Sequence, residues 1–204
     1  MIPFSLNSYS LTDPRSTANK SKRSGDLEEG QHLFYLFTDA AEKQQRIFRL
    51  LDSLLSASRT SVVYIAGKQG VKGIRLSMKD FGIDVAANER ERKLKIADSE
   101  EWFLTKSRQP TFKTPEEIKV EIQRLGSDAK SAGFDFATII SETDMLVRKG
   151  FFQQYLALEK ELGELTANSP IAFLCAYDER ELTAKGLNDA RSQLTAMHSS
   201  PLAV

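Results

Sequence analysis

Two apolar runs constrain this chain more than anything else in it. Residues 171–178, IAFLCAYD, hold six consecutive apolar residues, among them the only cysteine, and stop at a tyrosine and an aspartate. Residues 136–144, FATIISETD, are built the same way. A run without polar alternation is buried on both faces, the situation of a parallel strand covered by helices. Polar residues at its carboxyl end fall where open α/β sheets keep their ligand sites. The expected fold class is α/β, a three-layer sandwich with a mostly parallel central sheet and helices on both faces.

At 204 residues, 41% hydrophobic and 27% charged, the chain suffices for one sizeable core and is short for two. Its 28 basic and 28 acidic residues cancel, so no overall field holds nucleic acid or an anionic membrane, and neither is expected as a partner. One cysteine makes no internal disulfide, and no apolar run approaches the roughly 20 residues that span a bilayer. The opening MIPFSLNSYSLTDPR lacks the basic and apolar regions of a secretory signal. These features lead us to expect a soluble, cytoplasmic, reduced protein. Residues 1–29 are polar after Leu11 and are expected to form a flexible tail, with Lys20, Lys22 and Arg23 solvated. Residues 30–204 are expected to form one domain.

Within that domain, HLFYLF (32–37) reads as a short strand. Asp39 and Glu42 have capping-box spacing ahead of a helix over 40–57, striped by Ile47, Leu50, Leu51, Leu54 and Leu55. SVVYIA (61–66) suits a central strand and is followed by a glycine loop and a helix over 71–81 ended by Gly82. Residues 83–87 and 94–97 read as strands around a charged turn, the second as part of a hairpin, and 99–105 as a short helix carrying Trp102. Thr114, Pro115 and Glu117 open a helix whose Ile118, Ile122, Leu125 and Ala129 share a face. Helices are also expected at 145–149, 151–165 and, unbroken, 182–197.

Candidate chemistry clusters at the strand ends. AGKQGVKG (66–73) stands where a phosphate-cradling loop would, but Lys68, Gln69 and Lys72 sit among glycines in the wrong order for GxxxxGK[ST]. It is either a degenerate anion-attracting loop or an ordinary strand-to-helix turn. Glu142 either points into the edge cleft as a ligand or base, or helps Ser141 and Asp144 cap the next helix. Glu159 falls inside the apolar arc of Phe151, Phe152, Tyr155, Leu158 and Leu162, so a buried partner is expected for it, such as a backbone amide, an Arg or a Tyr. Cys175 lies on the opposite strand face from Leu174 and Ala176 and reads as core. His32 and His198 are the only histidines, at opposite ends of the domain, and no CxxC or HxxxH spacing supports a metal site with Cys175. No metal, cofactor or catalytic residue is therefore expected. Tyr177 and Asp178 read as a binding rim at the strand end.

These elements together resemble one family. His32 opening HLFYLF, the helix into SVVYIA, the strand from Leu94 before the Trp102 helix, the Glu142 and Met145 turn, the Tyr155 to Glu159 helix, CAYD, and His198 before Pro201 resemble the MEDS domain. MEDS is a sensory domain of methanogens and methylotrophs, first associated with a dichloromethane-responsive regulator. The resemblance implies a RecA-like or KaiC-like core that has lost its nucleotide machinery, belongs to an archaeal or methylotroph signalling context and senses small hydrocarbon derivatives. It makes His32, Glu142, Glu159, Cys175, Tyr177, Asp178 and His198 the expected ligand-binding positions, to which the glycine loop adds Lys68 and Gln69. The implied partners are a small-molecule effector and a signalling protein such as a kinase or transcription regulator, or a second copy in a homodimer. The alternatives are a divergent RecA-like or KaiC-like ATPase using Lys68 or Lys72 with Glu142, and an oligomeric interaction module without a small ligand.

Overall fold

The computed structural model describes residues 27–198 and 200–201. The basic cluster at 20–23 lies outside them. Leu27 is already buried, and the Gly30 amide donates to the Ile171 carbonyl at 2.8 Å.

The chain runs through β1 (His32–Phe37), α1 (Ala40–Ala57), β2 (Thr60–Ala66), α2 (Gly70–Phe81), α3 (Val85–Arg90), β3 (Leu94–Asp98), α4 (Ser99–Phe103), α5 (Pro115–Ser131), β4 (Phe136–Glu142), α6 (Asp144–Arg148), α7 (Phe152–Ala167), β5 (Ile171–Asp178), α8 (Glu179–Ala184), α9 (Ala190–Met197) and β6 (Ser200–Pro201). The strands form one sheet in the order β3-β2-β4-β5-β1-β6, with every pairing parallel. β4 and β5, the two apolar runs, lie side by side at its centre, buried along their whole lengths.

The order of connection explains the layers. From β1 to β2 and on to β3 the chain steps toward one edge, and from β3 through β4 and β5 to β6 it steps back toward the other. Parallel crossovers are right-handed, so a reversal of direction moves the helices to the opposite face. Accordingly α1, α2 and α3 cover one face, packing Ile47, Leu51, Ile74, Met78 and Val85 on Tyr64, Ile140 and Leu174. The helices α4 to α9 cover the other, packing Phe103, Ile118, Ile122, Leu158 and Leu194 on Val63, Ile139 and Phe173. Two of the local start signals are realised atom by atom: Asp39 accepts from the Glu42 amide at 2.8 Å, and Thr114 and Glu117 close a full capping box.

Four local expectations are corrected. Residues 85–90 are helical, because Asp84 caps the turn by accepting from the Ala87 amide at 2.9 Å. An Ile-x-Val spacing is too short to separate strand from helix. Leu94 opens no hairpin: β3 pairs with β2 in parallel, and the α2–α3 segment is the crossover. The final helix is split, with Gly186 at φ 71° in the left-handed region between α8 and α9. Ser141 caps nothing, since β4 extends through Glu142 and Thr143 precedes α6 with its hydroxyl donating to the Ala176 carbonyl at 3.0 Å. Among the described residues, no helix is long and apolar enough to cross a membrane.

Candidate functional site

Reversal of direction creates crevices at the carboxyl ends of neighbouring strands whose chains leave toward opposite faces. Three neighbouring pairs meet this condition, β3 beside β2, β2 beside β4, and β1 beside β5, and the predicted residues fall at the last two. The crevice between β2 and β4 holds Glu142, 1% exposed at the end of β4. Its Oε1 accepts from Lys43 Nζ at 2.6 Å and from the Tyr64 hydroxyl at 2.5 Å, and its Oε2 accepts from the Gly67 amide at 3.1 Å. Next to it the buried Asp144 Oδ1 accepts from the amides of Lys68 at 3.1 Å and Met145 at 2.9 Å. The loop after β2 does present its amides to an anion, but the anions are the protein's own carboxylates. Burial, and then the neighbouring Glu142, push the Asp144 carboxyl up, against the pull of the Lys68 amide.

Lys68 joins this group to the crevice between β1 and β5. Its ammonium lies 3.3 Å from Asp178, 3.7 Å from Glu181 and 3.9 Å from Asp144, and its side chain is 36% exposed. Asp178 caps α8 by accepting from the Arg180 amide at 3.0 Å. Burial would raise its carboxyl, but Arg180 and then Lys68 hold it below the ordinary range. Gln69 donates to the Ser77 hydroxyl at 2.7 Å and accepts from Gln44 at 2.9 Å, so its amide is engaged within the surface of α1 and α2.

The approach of loop to carboxylates is close enough to require glycine. A Cβ at Gly67 would stand 1.9 Å from Asp144 Oδ1 and 2.9 Å from Glu142 Cβ. Gly67→Ala is therefore expected to cost about 1–3 kcal/mol by overpacking, read as a lower urea midpoint with an unchanged slope.

The remaining candidates meet elsewhere, between the sheet and α7. The period of two along β1 puts His32 on the same face as Phe34, toward α7 and α9, and Cys175 and Tyr177 share that face on β5. Glu159 enters from α7 and His198 from the end of α9. The Tyr177 hydroxyl donates to Glu159 Oε1. Glu159 Oε2 lies 2.7 Å from His32 Nε2 and 3.2 Å from His198 Nε2, while His32 Nε2 is 3.7 Å from Cys175 Sγ. Tyr155 OH is 3.3 Å from the same sulfur. Burial raises the Cys175 thiol and the Tyr155 and Tyr177 hydroxyls.

The predicted residues thus divide into two centres. Lys68, Glu142 and Asp178 meet at the strand ends, with Gln69 at their margin, whereas His32, Glu159, Cys175, Tyr177 and His198 meet inside the core. Tyr177 is fully buried and is no part of a rim. Glu159 has the tyrosine partner its position demanded, together with two histidines that its position did not announce. Lys43, Tyr64 and Tyr155 were missed as participants. Lys43 left a signal: it lies four residues before Ile47 and seven before Leu50, on the apolar stripe of α1, and is 4% exposed.

In both shape and sequence the chain is similar to known proteins. A KaiC-like protein from the hyperthermophilic archaeon Pyrococcus horikoshii OT3 superimposes with a TM-score of 0.52 at 14% identity, covering 76% of this chain and 69% of that one. The likeness shows a RecA-like, KaiC-like fold. No curated protein matches the chain. The family model for the MEthanogen/methylotroph, DcmR Sensory domain matches residues 31–193. With that match over most of its length, the chain belongs to the MEDS family of sensory domains.

Proposed function

We propose that this sensory domain is noncatalytic and binds a small, hydrocarbon-derived effector at the strand ends, signalling through a partner protein or a second copy of the chain. The observation that carries the reading is the filled crevice between β2 and β4: Glu142 and Asp144 already take the Gly67 and Lys68 amides. A nucleotide phosphate there would meet two carboxylates. Lys68 is the responsive element, because it is partly exposed and bridges carboxylates from α6, β5 and α8. An effector that draws Lys68 away loosens the loop after β2 from α8. It shifts the domain between states only by its difference in affinity for them.

The test is equilibrium titration with magnesium ATP beside a panel of short-chain alcohols, aldehydes and carboxylates, following the amides of residues 67–70 and 178–181 by NMR. Saturable shifts with a panel member, weakened in Lys68→Ala, and none with ATP are expected. Tight ATP binding with phosphate release, lost in Lys68→Ala, would overturn the reading in favour of an ATPase.

A further inference from the structure

The buried cluster under α7 holds an electrostatic problem that the protein's own atoms leave unsolved. His198 Nδ1 lies 2.8 Å from the Leu194 carbonyl. A carbonyl only accepts, so Nδ1 carries the proton, and in the neutral ring Nε2 is then a bare lone pair. That lone pair faces Glu159 Oε2 at 3.2 Å, acceptor against acceptor, in a place where neither atom reaches water. Neither atom has a hydrogen-bond partner. The contact of Oε2 with His32 Nε2, though only 2.7 Å long, also lacks the direction of a hydrogen bond. Three ligating atoms therefore converge on a shared point instead of pairing with one another, and Cys175 Sγ completes the set, all four lying within 4.8 Å of one another.

We propose that His32, Glu159, Cys175 and His198 form a four-ligand site for a divalent transition metal of the zinc class. The donor set, two imidazoles, a thiolate and a carboxylate, suits a borderline-soft ion in tetrahedral geometry. Tetrahedral bonds to N, O and S place ligand atoms roughly 3.3–3.8 Å apart. Glu159 Oε2 must then draw back by roughly half an ångström to one ångström from His32, and the sulfur and imidazoles close in by a similar amount. The outer contacts suit this role. Leu194 fixes the tautomer that frees His198 Nε2, Tyr177 holds the second carboxylate oxygen, and Tyr155 can donate to the sulfur. Binding replaces the thiol proton by the metal, which releases one proton to solvent and leaves a neutral site: two positive charges against a thiolate and a carboxylate. With all four positions taken by protein and no side for substrate, the site is of the closed, noncatalytic kind. It ties the end of α9 to α7, β1 and β5, so occupancy governs how firmly α9 is held. The site goes beyond the effector reading and does not depend on it.

Cobalt(II) is the probe, offered to the chelator-treated full chain both folded and during refolding, because a buried site exchanges slowly. We expect one cobalt per chain, with the visible bands of a tetrahedral ion and a thiolate charge-transfer band in the near ultraviolet, both abolished by added zinc(II). Cys175→Ser, nearly the same shape, loses the charge-transfer band. His198→Ala, at the edge of the cluster, binds at least about 10-fold more weakly. Circular dichroism confirms that each variant is folded. Folded wild-type protein that takes up no cobalt by either route, or cobalt spectra unchanged in both variants, would overturn the site, and neither result bears on the strand-end effector.

Discussion

Glu142→Ala is expected to lower the unfolding free energy by about 3–5 kcal/mol, the usual cost of removing one partner from a buried ion pair. The reason lies in what the carboxylate leaves behind. Lys43, 4% exposed, loses its acceptor at 2.6 Å, and the Tyr64 hydroxyl and the Gly67 amide lose theirs. The Phe37 ring, its centroid 5.1 Å from Lys43 Nζ, offsets only part of this, since a cation over a phenyl face contributes about 0.5–2 kcal/mol. Lys43→Met combined with Glu142→Met removes both charges at similar volume and is expected to recover part of the loss, with the Tyr64 hydroxyl and the Gly67 amide still lacking an acceptor. Urea denaturation of the wild type, Lys43→Met, Glu142→Met and the double variant closes the cycle, with Glu142→Ala measured beside them. If Glu142→Ala alone were nearly neutral, the crevice would be wet and the carboxylate free for a ligand.

Phe173→Ala carries the second large effect, about 3–5 kcal/mol for an aromatic truncated inside a packed core. Phe173 is fully buried on β5, between β4 and β1, and its ring meets His32 edge-on with centroids 5.9 Å apart. The cavity opens beside the histidine cluster, so His32 loses the wall that sets its ring. The variant should therefore bind cobalt more weakly than the wild type as well as unfold earlier. A drop in the urea midpoint without any change in cobalt affinity would mean that the ring supports the core and leaves His32 in place.

The two centres were legible in the sequence to different degrees, for a physical reason. Glu159 and Lys43 each break an apolar helical stripe, and a charge on a buried face must have a partner. Their positions announce burial from a single helix. Glu142 and Asp178 follow apolar strands, so their place at the sheet edge is also local information. The partners are not local. Glu142 finds Lys43 from α1 and Tyr64 from β2 only because β2 and β4 are neighbours, and strand order leaves no mark on a strand's own sequence. The errors were of the same kind: an Ile-x-Val triplet served a helix, and a supposed hairpin strand paired in parallel.

Burial, period and punctuation were properties of the sequence itself. It carried two central strands, a capped helix at Thr114, a core-facing Glu159 and a strand-to-helix loop without the GxxxxGK[ST] pattern, because each depends on residues within a turn or two of one another. What only the tertiary structure decided is that residues 32, 159, 175 and 198 share one small volume. Four crossovers separate β1 from β5 along the chain, and the placement of β1 beside β5 brings them there, so no spacing along the chain encodes such a meeting. By its local pattern Cys175 was simply core, and His32 and His198 stood at opposite ends of the domain. In the fold they are four donors facing one point, because a parallel sheet orders its strands by packing on two faces and not by sequence distance.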